Sequence, residues 1–273
     1  MTDNQRIVKN IAKLLAGIII ILIVIGVVSF VFKIAYLVSY FTGTEGDSKV
    51  STIYSNDENT VKSMSIDIDS SYLTIKTGDS LSVESNSKKV TVKERNGILY
   101  VSDPSSNWIV KSNNIKVIIY NPNDMIFDEI ELDTGAAVVD IDRLTAERLD
   151  IDLGAGKVTI GSLTSTKQTA IDGGAGNFEI QGGSLNDLEI DWGVGNAEIT
   201  AEILGRSEID SGVGNLDLDL IGTADDYKIR ANKGLGNFTV DGKSISDGDV
   251  IGSGSNVIDI DCGVGNINVS FVK

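Results

Sequence analysis

The sequence predicts an all-β protein, a parallel β-solenoid with coils of about 19–20 residues, preceded by one N-terminal transmembrane helix. Two observations predict the solenoid. A glycine-centred unit recurs along residues 130–273, and apolar and polar residues alternate with period 2 on both sides of each unit. An uncharged apolar run near the N-terminus predicts the helix. The composition agrees, since 29 glycines against 2 prolines supply many tight turns without proline.

Residues 14–41 are predicted to form the membrane anchor. Within them, residues 14–32 are an uncharged run of 19 residues, which as a helix spans roughly 28 Å and can cross a hydrocarbon core. Basic residues dominate the preceding segment, so the positive-inside rule predicts a single-pass protein of the cell membrane, with residues 1–13 as a cytoplasmic tail and the C-terminal domain extracellular. A cleaved signal peptide is the alternative, but its apolar region would be shorter, and no A-x-A-like site follows the run.

The segment between the anchor and the repeats is predicted to contain strands without the regular glycine unit. Residues 42–60 read as a polar linker, and residues 61–129 read as irregular N-terminal β coils that form a cap. The stretch VTVKERNGILYVSD predicts a β-hairpin that turns at Asn96 and Gly97.

The regular solenoid is predicted over residues 130–273. Its units are LDTGAAVVDI, IDLGAGKVTI, IDGGAGNFEI, IDWGVGNAEI, IDSGVGNLDL, ANKGLGNFTV and IDCGVGNINV. Their first glycines are Gly135, Gly154, Gly174, Gly193, Gly212, Gly234 and Gly263, at spacings of 19, 20, 19, 19, 22 and 29. A nearly constant period of this length indicates stacked coils, in which like residues lie over like residues.

Each position counted from the first glycine of the units forms a column along the stack. The columns five and three residues before this glycine, and one, four and six residues after it, are mostly apolar and are predicted to point inward. The column one residue before it, which contains Trp192 and Cys262, is predicted to lie at a corner rather than in the core. An asparagine column after the corner is predicted to form an amide ladder, with the members Asn177, Asn196, Asn215, Asn237 and Asn266.

Two outward columns carry the candidate site. The columns two and four residues before the first glycine face the same side by strand parity, and together they hold eleven acidic residues and one basic residue. One interpretation is structural: each Asp accepts a hydrogen bond from its own glycine turn, and the charges keep the rod soluble. The other is a cation-binding face, with Asp172, Asp191 and Asp210 as metal ligands for Ca²⁺, or a face for a cationic peptide or protein.

Composition excludes several classes of site. The chain has no histidine and a single cysteine, so His-based catalysis, internal disulfides and Cys/His zinc sites are excluded. A net charge of -16 argues against a nucleic-acid partner. The known calcium nonapeptide does not match, because Phe178 occupies the place of its ligand Asp. We therefore predict no cofactor, with Ca²⁺ as the one open possibility. Trp192 is a second candidate binding residue, since an exposed indole could stack on a sugar, although packing at the corner is the alternative.

The segments IDIDSSYLTIKTGD and IKVIIYNPND and the serial I-D-x-G-x-G-N units resemble the bacterial putative-adhesin β-strand-repeat family. The resemblance covers most of residues 50–273. It implies a membrane-anchored envelope protein of a family whose function is unknown, some members of which belong to envelope-stress responses of Gram-positive bacteria. It implies no catalytic or ligand residues.

These observations predict a non-enzymatic binding or interaction module in the cell envelope, active in envelope-stress signalling or adhesion. The expected partners are the membrane bilayer and a membrane protein or cationic peptide. Two alternatives stay open. One is a polysaccharide-cleaving β-helix enzyme, which the abundant carboxylates would suit but for which a stacked ladder offers no singular catalytic pair. The other is a purely structural envelope spacer.

Overall fold

The computed structural model describes residues 49–56, 60–103, 115–246 and 248–273, and these ranges are all-β. The predicted tail, anchor and most of the linker lie outside them, so the transmembrane helix stays a prediction. Within the described ranges there is no helix of the length and apolarity that crossing a membrane requires.

The described residues form strands of very unequal length, because a strand that follows the chain around several coils is continuous. In chain order they are β1 (Ser51–Asn56), β2 (Ser63–Ile68), β3 (Tyr72–Gly78), β4 (Leu81–Ser85), β5 (Thr91–Arg95), β6 (Ile98–Asp103), β7 (Lys116–Pro122), β8 (Phe127–Ile180), β9 (Gly183–Asn186), β10 (Leu188–Leu204), β11 (Arg206–Ile221), β12 (Tyr227–Val240), β13 (Lys243–Ser244), β14 (Val250–Ile251) and β15 (Asn256–Val272).

The regular repeats stack as a parallel β-solenoid in the predicted register. β10 pairs with β8 and β11, and equivalent residues of the units lie opposite one another. Ile190, for example, pairs with Ile171 on one side and with Ile209 on the other. Equivalent residues of successive units are therefore stacked on one another, as the spacing predicts.

The last two coils are stacked out of chain order. β15, the final strand, lies between β11 and β12, so the coil of residues 227–240 forms the end of the stack. In this order Asp259 of β15 lies between Arg206 of β11 and Arg230 of β12 and forms a salt bridge with each, at N–O distances of 3.1 and 3.0 Å. Spacings of 22 and 29 residues provide the chain length for this crossover.

The core is one continuous apolar column system that runs through the whole stack. The predicted inward columns five and three residues before the first glycine, and four and six residues after it, are buried; Ile130, Ile190, Ile199 and Leu218 are each at most 1% exposed. Two predictions at the corner are wrong. The column one residue after the glycine is partly or fully exposed, as at Leu235, and the column one residue before it is buried, as at Leu153.

The corner glycines explain this change of parity. The second glycine of the unit has a positive φ in all six units that possess it, for example +146° at Gly214, a region that favours glycine. A Cβ there would lie 1.7 Å from the carbonyl oxygen of Gly195 in the adjacent coil. The backbone therefore turns at a close approach that only glycine permits, and the residue between the two glycines is left outside.

The asparagine column forms the predicted amide ladder. Asn196 donates to Asn177, Asn215 to Asn196, Asn266 to Asn215 and Asn237 to Asn266, with N–O distances between 3.0 and 3.4 Å. The amide ladder follows the stacking order of the last two coils, because Asn266 lies between Asn215 and Asn237 just as β15 lies between β11 and β12.

The N-terminal strands continue the solenoid in irregular form. β2 and β3, in the early IDIDSSYLTIKTG segment, pair in parallel with β8 and so stack on the regular coils. β5 and β6 form the predicted hairpin, and its turn has positive φ at Asn96 and Gly97. β4 and β7 pair in antiparallel fashion, and β1 lies beyond β4 at the sheet edge.

A short antiparallel cap covers the opposite end. β14 pairs with residues Ile229 and Arg230 of the terminal coil, and β13 pairs with Thr239 and Val240. These strands occupy part of an edge that would otherwise offer free backbone groups for pairing with another chain.

Candidate functional site

The candidate site is the column of aspartates two residues before the first glycine of each unit. Backbone register places Asp172, Asp191, Asp210 and Asp261 directly opposite one another in successive coils, with Asn232 at the end. Asp67 pairs with Asp133 and extends the column into β2. We call the following residues the acidic ladder: Asp67, Asp133, Asp152, Asp172, Asp191, Asp210 and Asp261.

The sequence prediction missed Asp67, because its coil lacks the glycine corner that defines the repeat. The signal was nevertheless present, since Asp67 lies between two isoleucines in the same Ile-Asp alternation as the regular units. The parity of the strand, rather than the glycine motif, is what identifies it.

Burial, and after it the crowding of like charge, raises the pKa of three rungs of the ladder. The pKa of Asp210 is raised by burial and then by Asp261, Glu208 and Asp191. The pKa of Asp152 is raised by burial, and also by its neighbouring rungs Asp133 and Asp172. Burial and Asp133 likewise raise the pKa of Asp67. These three carboxyl groups, Asp67, Asp152 and Asp210, are thus harder to ionise than isolated ones.

Counter-charges are concentrated away from the ladder. Asp259, in the neighbouring acidic column, forms salt bridges with both Arg206 and Arg230. Glu129 forms one with Arg148, and Glu147 forms one with Lys167. Within the ranges that the structure covers, no salt bridge reaches a ladder carboxylate. Among the described side chains, the acidic ladder therefore has no salt-bridge partner.

The structural interpretation of the aspartates is wrong in its detail. It requires a corner N–H to donate to each Asp, and among the described hydrogen bonds no such donation to a ladder carboxylate occurs. One oxygen of Asp210, Oδ1, is buried without a partner in the described structure. Among the described hydrogen bonds, the aspartates therefore do not act as acceptors for their own turns, and like charges directly opposite one another destabilise a sheet.

A shallow groove of about 870 Å³ runs beside the ladder and is lined by residues of five coils. Ladder residues, Asn232, the buried column and the corner glycines line it. The lining residues are Gly173, Asp191, Trp192, Gly193, Asp210, Ser211, Gly212, Asn232, Gly234, Asp261, Cys262 and Gly263.

The predicted metal ligands Asp172, Asp191 and Asp210 occupy three successive rungs. In the described part of the chain, however, no three Asp, Glu or Cys side chains converge into a group that could hold a metal ion. The arrangement is a line of single carboxylates, one per coil. It suits an extended cationic partner better than a compact ion.

The structure places Trp192 differently from an exposed sugar platform. Its side chain is 5% exposed and its ring stacks on Phe178, with centroids 5.6 Å apart. The ring fills the space left by Gly173 in the adjacent coil, where an added Cβ would lie 1.9 Å from Trp192 Cε3. The candidate role of Trp192 in stacking on a ligand is therefore wrong, and the residue is part of the core.

Cys262 shares the buried column with Trp192. It is 8% exposed, and burial raises the pKa of its thiol, with a hydrogen bond from Ser211 acting in the opposite direction. A thiol with a raised pKa is a poor nucleophile at neutral pH.

Comparison with known protein families gives a match over most of the described chain. The model of the Toastrack DUF4097 family matches residues 72–270. No curated protein matches the chain.

Several solved structures are similar at low identity. A putative cell adhesion protein from Clostridium sporogenes shares 13% identity, with 82% of this chain and 99% of that chain covered and a TM-score of 0.33. A putative adhesin from Bacteroides fragilis shares 15%, with 81% and 97% covered and a TM-score of 0.41. A putative lipid binding protein from Parabacteroides distasonis shares 15%, with 82% and 96% covered and a TM-score of 0.32. At TM-scores below 0.5 these likenesses carry no conclusion about what this chain binds.

Proposed function

The chain belongs to the Toastrack DUF4097 family, and from that premise we propose that it is a non-enzymatic, membrane-anchored interaction module of the cell envelope whose acidic ladder binds a cationic partner. This family match confirms the resemblance to the putative-adhesin β-strand-repeat family that is apparent from the sequence. The observation that carries the proposal is the ladder itself, which holds aspartates in register without a counter-charge in the described structure.

The energetic argument begins with the repulsion along the ladder. Neighbouring rungs are about one strand spacing apart, roughly 4.8 Å, and like charges directly opposite one another are destabilising. Burial and this repulsion raise the pKa of Asp152 and Asp210. A cationic partner would relieve the repulsion, so part of the cost of the fold returns as binding energy.

The geometry favours an extended partner. From β2 to β15 the ladder places one of its carboxylates in each stacked coil, and the adjacent groove leaves room for a chain to lie against it. A lysine- or arginine-rich segment of a peptide or membrane protein matches this charge pattern. Adhesion and envelope-stress signalling are the two settings in which we place such a contact.

The test is a titration of the full chain in detergent with a fluorescently labelled lysine-rich peptide. We expect saturable binding that weakens steeply as salt is raised, because exposed charges are screened beyond about 10 Å at 0.1 M salt. The variant Asp191→Asn/Asp210→Asn should lose most of the affinity.

The control variant is Glu179→Gln/Glu198→Gln. It removes the same charge from two register neighbours on the outward side of the following strand. Wild-type affinity in this variant, together with loss in the ladder variant, supports the proposal. Equal loss in both variants would mean that net charge alone attracts the peptide, and the ladder would not be the site.

Calcium is the second candidate ligand, favoured by the buried and unpartnered Oδ1 of Asp210. In thermal unfolding, millimolar Ca²⁺ should then raise the melting temperature more than Mg²⁺ or matched monovalent salt does, because a ligand that binds the folded state stabilises it. Identical curves in the three conditions would remove calcium from the proposal.

Membrane anchorage is proposed from residues 14–41 and their basic flank. Protease added to intact protoplasts should digest the chain beyond residue 45, roughly at the start of the linker. Complete protection of the solenoid would contradict both the orientation and the extracytoplasmic role.

A further inference from the structure

The first described strand, β1, is attached to the domain very differently from the strands that follow it. It pairs with β4 at the edge of the sheet, and its register shifts at a bulge between Thr52 and Tyr54. Four of its six residues are exposed and only Asn56 is buried. Little apolar surface therefore holds β1 in place.

The next strand has a contrasting environment. β2 is paired on both sides, with β6 and with β8, and its alternate residues Met64, Ile66 and Ile68 are at most 1% exposed. Loss of β1 from the edge would leave these pairings and this core unchanged. The stability of β1 is thus separable from that of the solenoid.

Two side chains of β1 and one that follows it converge on one carboxylate. Tyr54 Oη donates to Glu94 Oε2 at 2.6 Å, and Asn56 Nδ2 donates to the same oxygen at 3.0 Å. Thr60 Oγ1 donates to Glu94 Oε1 at 2.7 Å. Asn56 Nδ2 also lies 3.0 Å from Tyr54 Oη and 2.7 Å from Thr60 Oγ1. Both oxygens of Glu94 therefore accept from this segment.

The charge state strengthens this cluster. Hydrogen bonds from Tyr54 and Thr60 lower the pKa of Glu94, so the carboxylate is ionised at neutral pH. Burial and the contact with Glu94 raise the pKa of Tyr54 to about 12, so the phenol keeps the proton it donates. Hydrogen bonds to an ionised acceptor are stronger than neutral ones.

We propose that β1 is a strap that opens and closes independently of the solenoid, and that the side chain of Glu94 is the latch that holds it closed. The strap lies where residues 1–48 enter the described domain, so a pull or a binding event on that part of the chain acts on it first. Its opening uncovers the edge of β4, from Leu81 to Ser85.

Hydrogen exchange of the full chain in detergent, read by mass spectrometry at neutral pH, tests the strap. In Glu94→Gln, which keeps the shape of the side chain but loses the charge and one acceptor, the β1 amides that face β4 should exchange about tenfold faster. The amides of β2, β3 and β8 should be unchanged. Thr60→Val removes a single donor and should give a smaller increase in the same segment.

The matched control is Glu84→Gln on β4, whose carboxylate accepts one long bond of 3.3 Å from Thr52. It should change the exchange of β1 by less than about twofold. Unchanged β1 exchange in Glu94→Gln, or an equal effect of Glu84→Gln, would overturn the latch. A uniform increase through β2, β3 and β8 would overturn the independence of the strap.

Discussion

Trp192 and Gly173 are predicted to be strongly coupled across adjacent coils. An alanine Cβ at position 173 would lie 1.9 Å from Trp192 Cε3 and 2.1 Å from Cζ3, whereas carbon atoms pack best at about 3.5–4.0 Å. The indole has little freedom to move aside, because it is 5% exposed and stacked on Phe178. Gly173→Ala should therefore overpack the core.

The expected magnitude follows from these contacts. Overpacking of this kind costs about 1–3 kcal/mol of unfolding free energy. Gly173 lacks a positive φ, so no backbone strain is added, and in a Trp192→Leu background the same Gly173→Ala change should be neutral or stabilising by up to about 1 kcal/mol. The coupling between the two positions should be about 2 kcal/mol.

A double-mutant cycle measured by equilibrium urea unfolding gives this coupling directly. Gly182→Ala is the control, because its Cβ would lie at an ordinary 3.5 Å from the carbonyl oxygen of Gly161, and it should change stability by less than about 0.5 kcal/mol. Additive effects of Gly173→Ala and Trp192→Leu, within about 0.5 kcal/mol, would refute the packing argument.

Two further predictions concern the core and the pH dependence. Ile190→Asp places a carboxyl group where the native side chain is 1% exposed, so it should lower the free energy of unfolding by about 5 kcal/mol or more and abolish cooperative unfolding. Thr159→Asp, in an outward column, should lower it by about 1 kcal/mol or less. Equal losses of stability in urea unfolding would mean that the inward and outward columns are misassigned. The raised pKa values of Asp67, Asp152 and Asp210 mean that the folded state binds protons more tightly than the unfolded chain. Stability should therefore rise as the pH falls from 7 toward about 4 and decrease again below it, where Glu94 and Asp226, whose pKa values are lowered, become protonated. Urea unfolding at pH 7, 5, 4 and 3 measures this, and a steady fall in stability from pH 7 to pH 4 would contradict it.

The strand columns could be predicted from the sequence because strand parity needs only a period of two residues. Ile190 and Ile199 are inward, and the asparagine ladder forms, as the alternation predicts. Parity across the corner could not be predicted, because it depends on the dihedral angles of two glycines rather than on apolarity. This is why Trp192 is buried and Leu235 exposed.

The stacking order of the last two coils could not be predicted from the sequence either. The repeat units are so similar that each could pair about equally well with several others. The pairing of Arg206 and Arg230 with Asp259 favours the observed order, and it becomes apparent only once the coils are stacked. The acidic ladder was predictable as a column, but its lack of hydrogen bonds from the corner amides was not.

The most direct test of the acidic ladder as a binding surface measures stability and peptide affinity in one variant, Asp152→Asn/Asp210→Asn. If the ladder is kept for binding rather than for folding, removal of two repelling charges should raise the free energy of unfolding at pH 7 while affinity for the lysine-rich peptide falls by about tenfold or more. A loss of stability with unchanged peptide affinity would contradict the account, because the aspartates would then serve the fold and not the partner.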